Sequence, residues 1–352
     1  MLHDIQQRYT PAILAEALRR FGFSPTPLLE LEGSAFVYEG LLDGLPRILK
    51  IAPGIWNSTE QITGSTREQL LAEVDFVRYL AKNGLPVALP VPSRSGNWVE
   101  LLPLDEHACF LAYAFEKAPG EMYPDEDEVH FPTAVLVEWG RLSGQLHRLS
   151  ASYHPHPERQ RLPWHVNDLL DFSALIPPEQ TRVHQRRAEI LARLHALPQD
   201  AESYGLVHGD FHHGNFLVEG EKITLFDFDA AEYFWYAGEV CVALYNCLPL
   251  PRGETARRRT YALDYLTAMF TWNPVLLPVS MDTKFRMMII LAAIFAFMAV
   301  IKGMEEWQGK VLEPKFNVRQ LGWRMAVGFA FFILCVGSIS SSSFNPFIYF
   351  RF

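Results

Sequence analysis

Apolar and polar positions alternate along Ser34–Gly40 and again along Pro46–Ile51, with Leu42-Asp43-Gly44-Leu45 between them. That pattern predicts a β-hairpin closed at an Asp-Gly turn. The period then changes: Leu70, Val74, Val77 and Leu80 recur at helical spacing, Thr66 and Gln69 form a capping box ahead of them, and Gly84 closes the far end. Short strands are predicted in Val87–Ser93, Asn97–Leu104 and the wholly apolar Ala108–Phe115, after which Glu116-Lys117-Ala118-Pro119-Gly120 has the composition of a linker. Helical spacing returns from Thr133 in Leu136, Gly140, Ser143 and His147, and a further helix is predicted over Glu179–Leu197. The N-terminal twenty residues pattern as an amphipathic helix with no secretory leader. The pattern therefore predicts a small α/β part followed by a larger, mainly helical part.

One stretch interrupts the helical half. Leu206-Val207-His208 ends a predicted strand, Phe216-Leu217-Val218 forms another, and Glu219–Lys222 turns into a third at Ile223–Phe228. The loop between the first two, HGDFHHGN, holds His208, Asp210, His212, His213 and Asn215. Asp227 closes the third strand, and Asp229 faces the same side if the chain is still extended there. Oxygen-bearing side chains thus converge on one edge, a set suited to a hard cation such as Mg²⁺ that keeps water and phosphate in its shell. The histidines with Asp210 also look superficially like a metallohydrolase cluster, but a zinc site normally wants further His or carboxylate ligands at helical or strand spacing.

Spacing narrows the chemistry. Asp210 and Asn215 stand as D-x-x-x-x-N, the spacing of a kinase catalytic loop, and Asp227-Phe228 stands where a D-F-G aspartate would be, with Gly209 in place of the loop arginine and Asp229 in place of the glycine. With HGDFHHGNFLV and TLFDFDAAEY in tandem, the chain resembles the aminoglycoside phosphotransferase and choline kinase-like family, including its homoserine-kinase-like members. The resemblance implies an α+β, protein-kinase-like fold, with a β-rich N-lobe over residues 1–115 and a mainly helical C-lobe over 116–352. It implies ATP and Mg²⁺ as cofactors and transfer of phosphate to the hydroxyl of a small molecule: an aminoglycoside, a choline-like amino alcohol, homoserine or a sugar. Asp210 would be the catalytic base, and Asn215 and Asp227 the metal ligands. Lys50, at the end of the second hairpin strand, would steady the phosphates, held by Glu73 on the capped helix. Gly33 and Ser34 would form the nucleotide loop, although one glycine replaces the usual G-x-G-x-x-G. The backbone around Ala114 and Glu116 would meet adenine as the hinge. Asp229, Glu232 and Tyr233, among four aromatics, are candidates for the acceptor, with core packing as the competing role.

Composition adds limits. A length of 352 residues suits two domains, and 49% apolar with 20% charged residues is ordinary for a globular protein. The net charge of −9 gives no overall field for nucleic acid. Four cysteines without a C-x-x-C pair fit a reducing, cytoplasmic setting. Two apolar runs, 287–301 and 325–339, are shorter than the roughly 20 residues a membrane span needs and pattern as buried helices, with a membrane hairpin as the competing reading. Two other functions fit parts of the pattern: a kinase-like binding protein without catalysis, and the metallohydrolase above.

Overall fold

The computed structural model describes residues 2–31, 35–56, 66–122, 131–166, 176–247 and 255–272. The candidate loop residues Gly33 and Ser34 and the two apolar runs near the C-terminus lie outside these. One compact unit comprises Met1–Ala188 with Pro198–Ser280, and a second comprises Glu189–Leu197 with Met281–Phe352.

In the first unit, α1 (Leu2–Gln6) and α2 (Pro11–Phe21) precede an antiparallel sheet built from β1 (Phe23–Leu31), β2 (Phe36–Leu42), β3 (Leu45–Ile55), β4 (Pro90–Val91), β5 (Val99–Pro103) and β6 (Ala108–Glu116). The order is β1-β2-β3-β6, with β4 and β5 both paired to the far edge of β6. The hairpin closes as its sequence requires, because Asp43 and Gly44 both take positive φ, 53° and 77°. Strand β1 has no counterpart in the sequence expectations. Its Pro25 and Pro27 cannot donate to a ladder, which obscures the pattern and is tolerated because β1 lies on the sheet edge.

Helix α3 (Arg67–Lys82) starts where its cap predicts, with the Thr66 hydroxyl accepting from the Gln69 amide at 3.2 Å. It buries Leu70, Val74, Val77 and Leu80. Beyond it, the Ala88 amide donates to the Leu225 carbonyl at 2.8 Å, and the Leu225 amide donates to the Pro86 carbonyl at 2.9 Å. The chain leaving α3 is thereby tied to the strand that leads into Asp227.

The helical part is centred on α4 (Thr133–Ala151), packed against α7 (Thr255–Trp272). Gly140 permits the close approach, since a Cβ there would land on the Tyr265 carbonyl oxygen. Trp139 is fully buried between Phe211, Phe216 and Tyr265, so one aromatic core supports both ends of the HGDFHHGN loop. Of the three strands around that loop, the second and third form the expected hairpin, while the first finds a partner further along the chain. β8 (Tyr204–Val207) pairs with β11 (Glu232–Trp235), while β9 (Phe216–Glu219) pairs with β10 (Lys222–Leu225) and with the short β7 (Glu121–Met122). Among the described residues the other helices are α5 (Thr181–His195) and α6 (Tyr236–Cys247). Among the described residues no helix is long and apolar enough to cross a membrane.

Candidate active site

The loop is shaped by its own side chains. His208 is fully buried; its Nε2–H donates to the Phe226 carbonyl at 3.0 Å, and its Nδ1 receives the Asp210 amide at 3.4 Å. His212 receives the Gly214 amide on Nδ1 at 3.0 Å, which leaves Nε2–H to face Asp210 Oδ2 at 3.3 Å. Asn215 gives both amide hydrogens to Asp210, to its carbonyl at 2.8 Å and its Oδ2 at 3.1 Å, so the amide oxygen is the atom left to act as a ligand. Gly209, at φ 84°, lets the loop pass against the Ala230 carbonyl, where any side chain would collide; that is a physical reason for glycine where protein kinases carry arginine. Asp210 ends with a side chain 49% exposed. The His212 hydrogen bond holds its carboxyl below the usual range despite partial burial, so it is a ready carboxylate at neutral pH.

Three histidines with most of their ring nitrogens committed do not form a metal cage. Among the described residues no group of three or more His, Cys, Asp or Glu is arranged to hold a metal ion by itself. The metallohydrolase alternative therefore has no geometric support.

A second cluster lies at the end of β10. The predicted strand stops early, at Leu225, and Asp227 takes φ 63°, a left-handed conformation that Asp tolerates better than most residues. A single 3-10 turn, Phe228–Ala230, follows. Asp229 consequently comes beside Asp227 through a turn and not through extended alternation. Lys50 Nζ donates to both, at 2.7 Å to Asp227 Oδ1 and 2.7 Å to Asp229 Oδ1, with its own side chain 9% exposed. Burial works against its charge, but Asp229, Tyr113 and Asp227 outweigh that and raise its pKa well above normal. Asp227 is held ionised by Lys50 against its own burial, whereas burial and the adjacent Asp227 push Asp229 up. The Tyr113 hydroxyl also reaches Asp229 Oδ1, at 3.3 Å. Asp229, expected to face the acceptor, is thus a partner of the lysine. The two clusters are joined by backbone, through the Phe226 amide to the Asn215 carbonyl at 3.1 Å and by His208 to Phe226.

The other candidates fall as follows. Glu73 is buried next to this corner, but its nearest ion partner is Arg161, 3.7 Å away, and neither of its oxygens is hydrogen-bonded. Burial is the chief cause of its raised pKa. Ala114 is buried in the middle of the sheet between Leu49 and Val91; the Glu116 amide is engaged with the Leu89 carbonyl at 2.7 Å, and its carboxylate meets Arg47 at 3.2 Å. Glu232 and Tyr233 sit in β11, where the Tyr233 amide donates to the Leu162 carbonyl at 3.1 Å. Of the four aromatics there, Trp235 and Tyr236 are core residues.

Sequence reasoning missed two residues. Glu239 on α6 is fully buried, accepts the His208 amide at 2.9 Å and faces His147 Nε2 at 3.2 Å, so α4 and α6 together hold the loop from beneath. Its only signal was a lone acid in an apolar helix. Arg161 gave none.

A divalent cation fits what is present. Asn215, Asp227 and Asp229 offer oxygen donors only, and two of them already converge on one positive charge, the Lys50 ammonium.

Comparison with known proteins agrees with this geometry. A family model described as the phosphotransferase enzyme family matches residues 43–275. Amicoumacin kinase of Bacillus subtilis (strain 168) is 36% identical over 257 residues, covering 72% of this chain and 73% of that protein. The structure of amicoumacin kinase hAmiN in complex with AMP-PNP, Ca²⁺ and Ami superposes with a TM-score of 0.71 at 28% identity, over 91% of this chain and 90% of that one. A microcompartment-associated aminopropanol kinase shares the fold at a TM-score of 0.51 and 17% identity, over 82% and 94% of the two chains.

Proposed function

The chain belongs to the phosphotransferase enzyme family and is a small-molecule kinase, and from that premise we propose that it moves the γ-phosphoryl group of ATP to a hydroxyl of an amicoumacin-like compound. The observation that carries the reaction is the half-exposed Asp210 carboxylate, fixed by Asn215 and His212 and joined through Phe226 to the corner of Lys50, Asp227 and Asp229. The amicoumacin-like acceptor rests on the relative that is 36% identical.

In this mechanism the acceptor hydroxyl docks against Asp210, which orients it and takes its proton as the oxygen attacks phosphorus. The bond from phosphorus to the β,γ-bridging oxygen breaks, and ADP leaves. Lys50 turns its ammonium from the aspartates to the α- and β-phosphates. Asn215 and Asp227, with Asp229 beside them, would hold Mg²⁺, which when bound neutralises charge on the β- and γ-phosphate oxygens. Residues 1–115 form the nucleotide lobe in this scheme and the rest the acceptor lobe. A demand for ATP and four cysteines without a C-x-x-C pair fit a cytoplasmic setting in this scheme.

The test is Mg-ATP consumption over a panel of amicoumacin, aminoglycosides, amino alcohols, homoserine and sugars, with mass spectrometry of the product. Phosphorylated amicoumacin is expected. No turnover with any acceptor, and no thermal shift with Mg-ATP, would leave a kinase-like binding protein in its place.

A further inference from the structure

The segment between α4 and the 3-10 turn at Trp164–Val166 carries no motif, yet it supplies a buried arginine. The Arg161 side chain is 1% exposed. Its Nε donates to the Ala231 carbonyl at 2.6 Å and its Nη2 to the Asp229 carbonyl. Its Nη1 donates to the Gln69 carbonyl at 3.4 Å and lies 3.7 Å from Glu73 Oε2. Two of these partners belong to the turn after Asp227, and the other two, a carbonyl acceptor and the Glu73 carboxylate, to α3. Neighbouring contacts run the same way: Arg159 Nη1 meets Asp75 of α3 at 3.0 Å, and the Leu162 carbonyl takes the Tyr233 amide at 3.1 Å.

Burying a guanidinium is costly unless its donors are used. Here the planar fork is directed at backbone carbonyls on two separate elements, which a point-like ammonium could not span together. What it spans matters. On one side is the helix that carries Glu73, and on the other the turn that carries Asp229, whose carboxylate binds Lys50.

We propose that Arg161 is a positioning residue for the nucleotide half of the active site, setting the separation between α3 and the turn of residues 227–231 so that Lys50, Asp227 and Asp229 meet a metal-bound nucleotide in register. This rests on the phosphotransfer reading of the same site. Arg161 touches neither substrate nor phosphate; it acts through the two backbones it joins. A purely structural arginine would change melting alone. A positioning arginine also changes how strongly Mg²⁺ and the nucleotide assist each other's binding.

The experiment is calorimetric titration of AMP-PNP, with and without Mg²⁺, into the wild type, Arg161→Lys and Arg161→Gln, alongside melting curves. The wild type is expected to bind Mg·AMP-PNP. Arg161→Lys, which keeps the charge beside Glu73, should fold and bind Mg·AMP-PNP about 10- to 100-fold more weakly, the scale of losing an outer partner of metal-binding groups. Metal-free AMP-PNP should bind both proteins alike, so the loss appears in the gain that Mg²⁺ confers. Arg161→Gln is the second variant should the lysine fail to fold. A folded variant with wild-type Mg·AMP-PNP affinity overturns the proposal while leaving the phosphotransfer reading intact. Failure of both variants to fold also overturns it, marking Arg161 as structural. A wild type that binds no Mg·AMP-PNP defeats both.

Discussion

Asp210 takes its side-chain hydrogen bonds from His212 and Asn215, two and five residues along the chain, and keeps half of its side chain in solvent. Lys50 is buried, and its two aspartates lie 177 and 179 residues away. In the proposed scheme the acceptor half of the site is set largely within one loop, which Glu239 and the Phe226 carbonyl hold only through His208. The nucleotide half exists only once the sheet, α3 and the turn after Asp227 have packed together. Damage to the first should change chemistry and little else; damage to the second should change binding and stability together.

Asp210→Asn is the sharpest test. The amide keeps the shape and the loop's internal contacts but cannot accept the hydroxyl proton. Turnover should fall about 10³-fold or more, within the range for loss of a general base, while Mg·AMP-PNP affinity and melting stay near wild type. A large loss of nucleotide affinity would show that the two halves are not separable. Lys50→Met breaks the other half. It removes the charge that Asp227 and Asp229 share, so Mg·AMP-PNP affinity should fall about 100-fold, and melting should shift as well because two carboxylates lose their counter-charge. Calorimetry and thermal denaturation on one sample check both.

The same contrast decides what the sequence revealed. The Asp43-Gly44 turn, the Thr66 cap and the Asp210/Asn215 spacing are short-range instructions, and each stands where it was expected. Lys50 was found by its place on a strand, but it meets Asp227 and Asp229 and not the expected Glu73, because which carboxylate a buried ammonium meets depends on packing between distant elements. The left-handed Asp227 and the pairing of β8 with β11 are long-range outcomes that no alternation pattern encodes. Glu239 and Arg161 are harder still. Each serves the site through backbone groups, so neither needs a neighbour of fixed type at fixed spacing.

The platform beneath the loop offers a test of stability alone. In Gly140→Ala the new methyl meets the Tyr265 backbone, which cannot rotate away as a side chain could. Overpacking of this kind costs about 1–3 kcal/mol, measurable by urea denaturation. Because Asp210 is fixed within its own loop, turnover per folded molecule should change little. A selective loss of turnover would mean that Trp139 tunes the loop and does not merely carry it.

The smallest effect concerns Glu73, where the nucleotide half meets pH. Burial, with the Asp229 carboxylate adding to it, raises this carboxyl from 4.5 to about 8, against the pull of Arg161 and Lys50. The folded protein thus binds this proton more tightly than the unfolded chain does. Its contribution to stability is complete below the ordinary carboxyl range and is lost as pH rises toward the raised value. Glu73→Gln has no such proton to lose. Between pH 5 and 8 the metal-free wild type should therefore lose a few degrees of melting temperature relative to Glu73→Gln, roughly the shift that 1–2 kcal/mol produces in a protein of this size. The opposite slope would mean that Arg161 and Lys50 hold Glu73 ionised, and that the lysine corner and α3 form one charge network even without nucleotide.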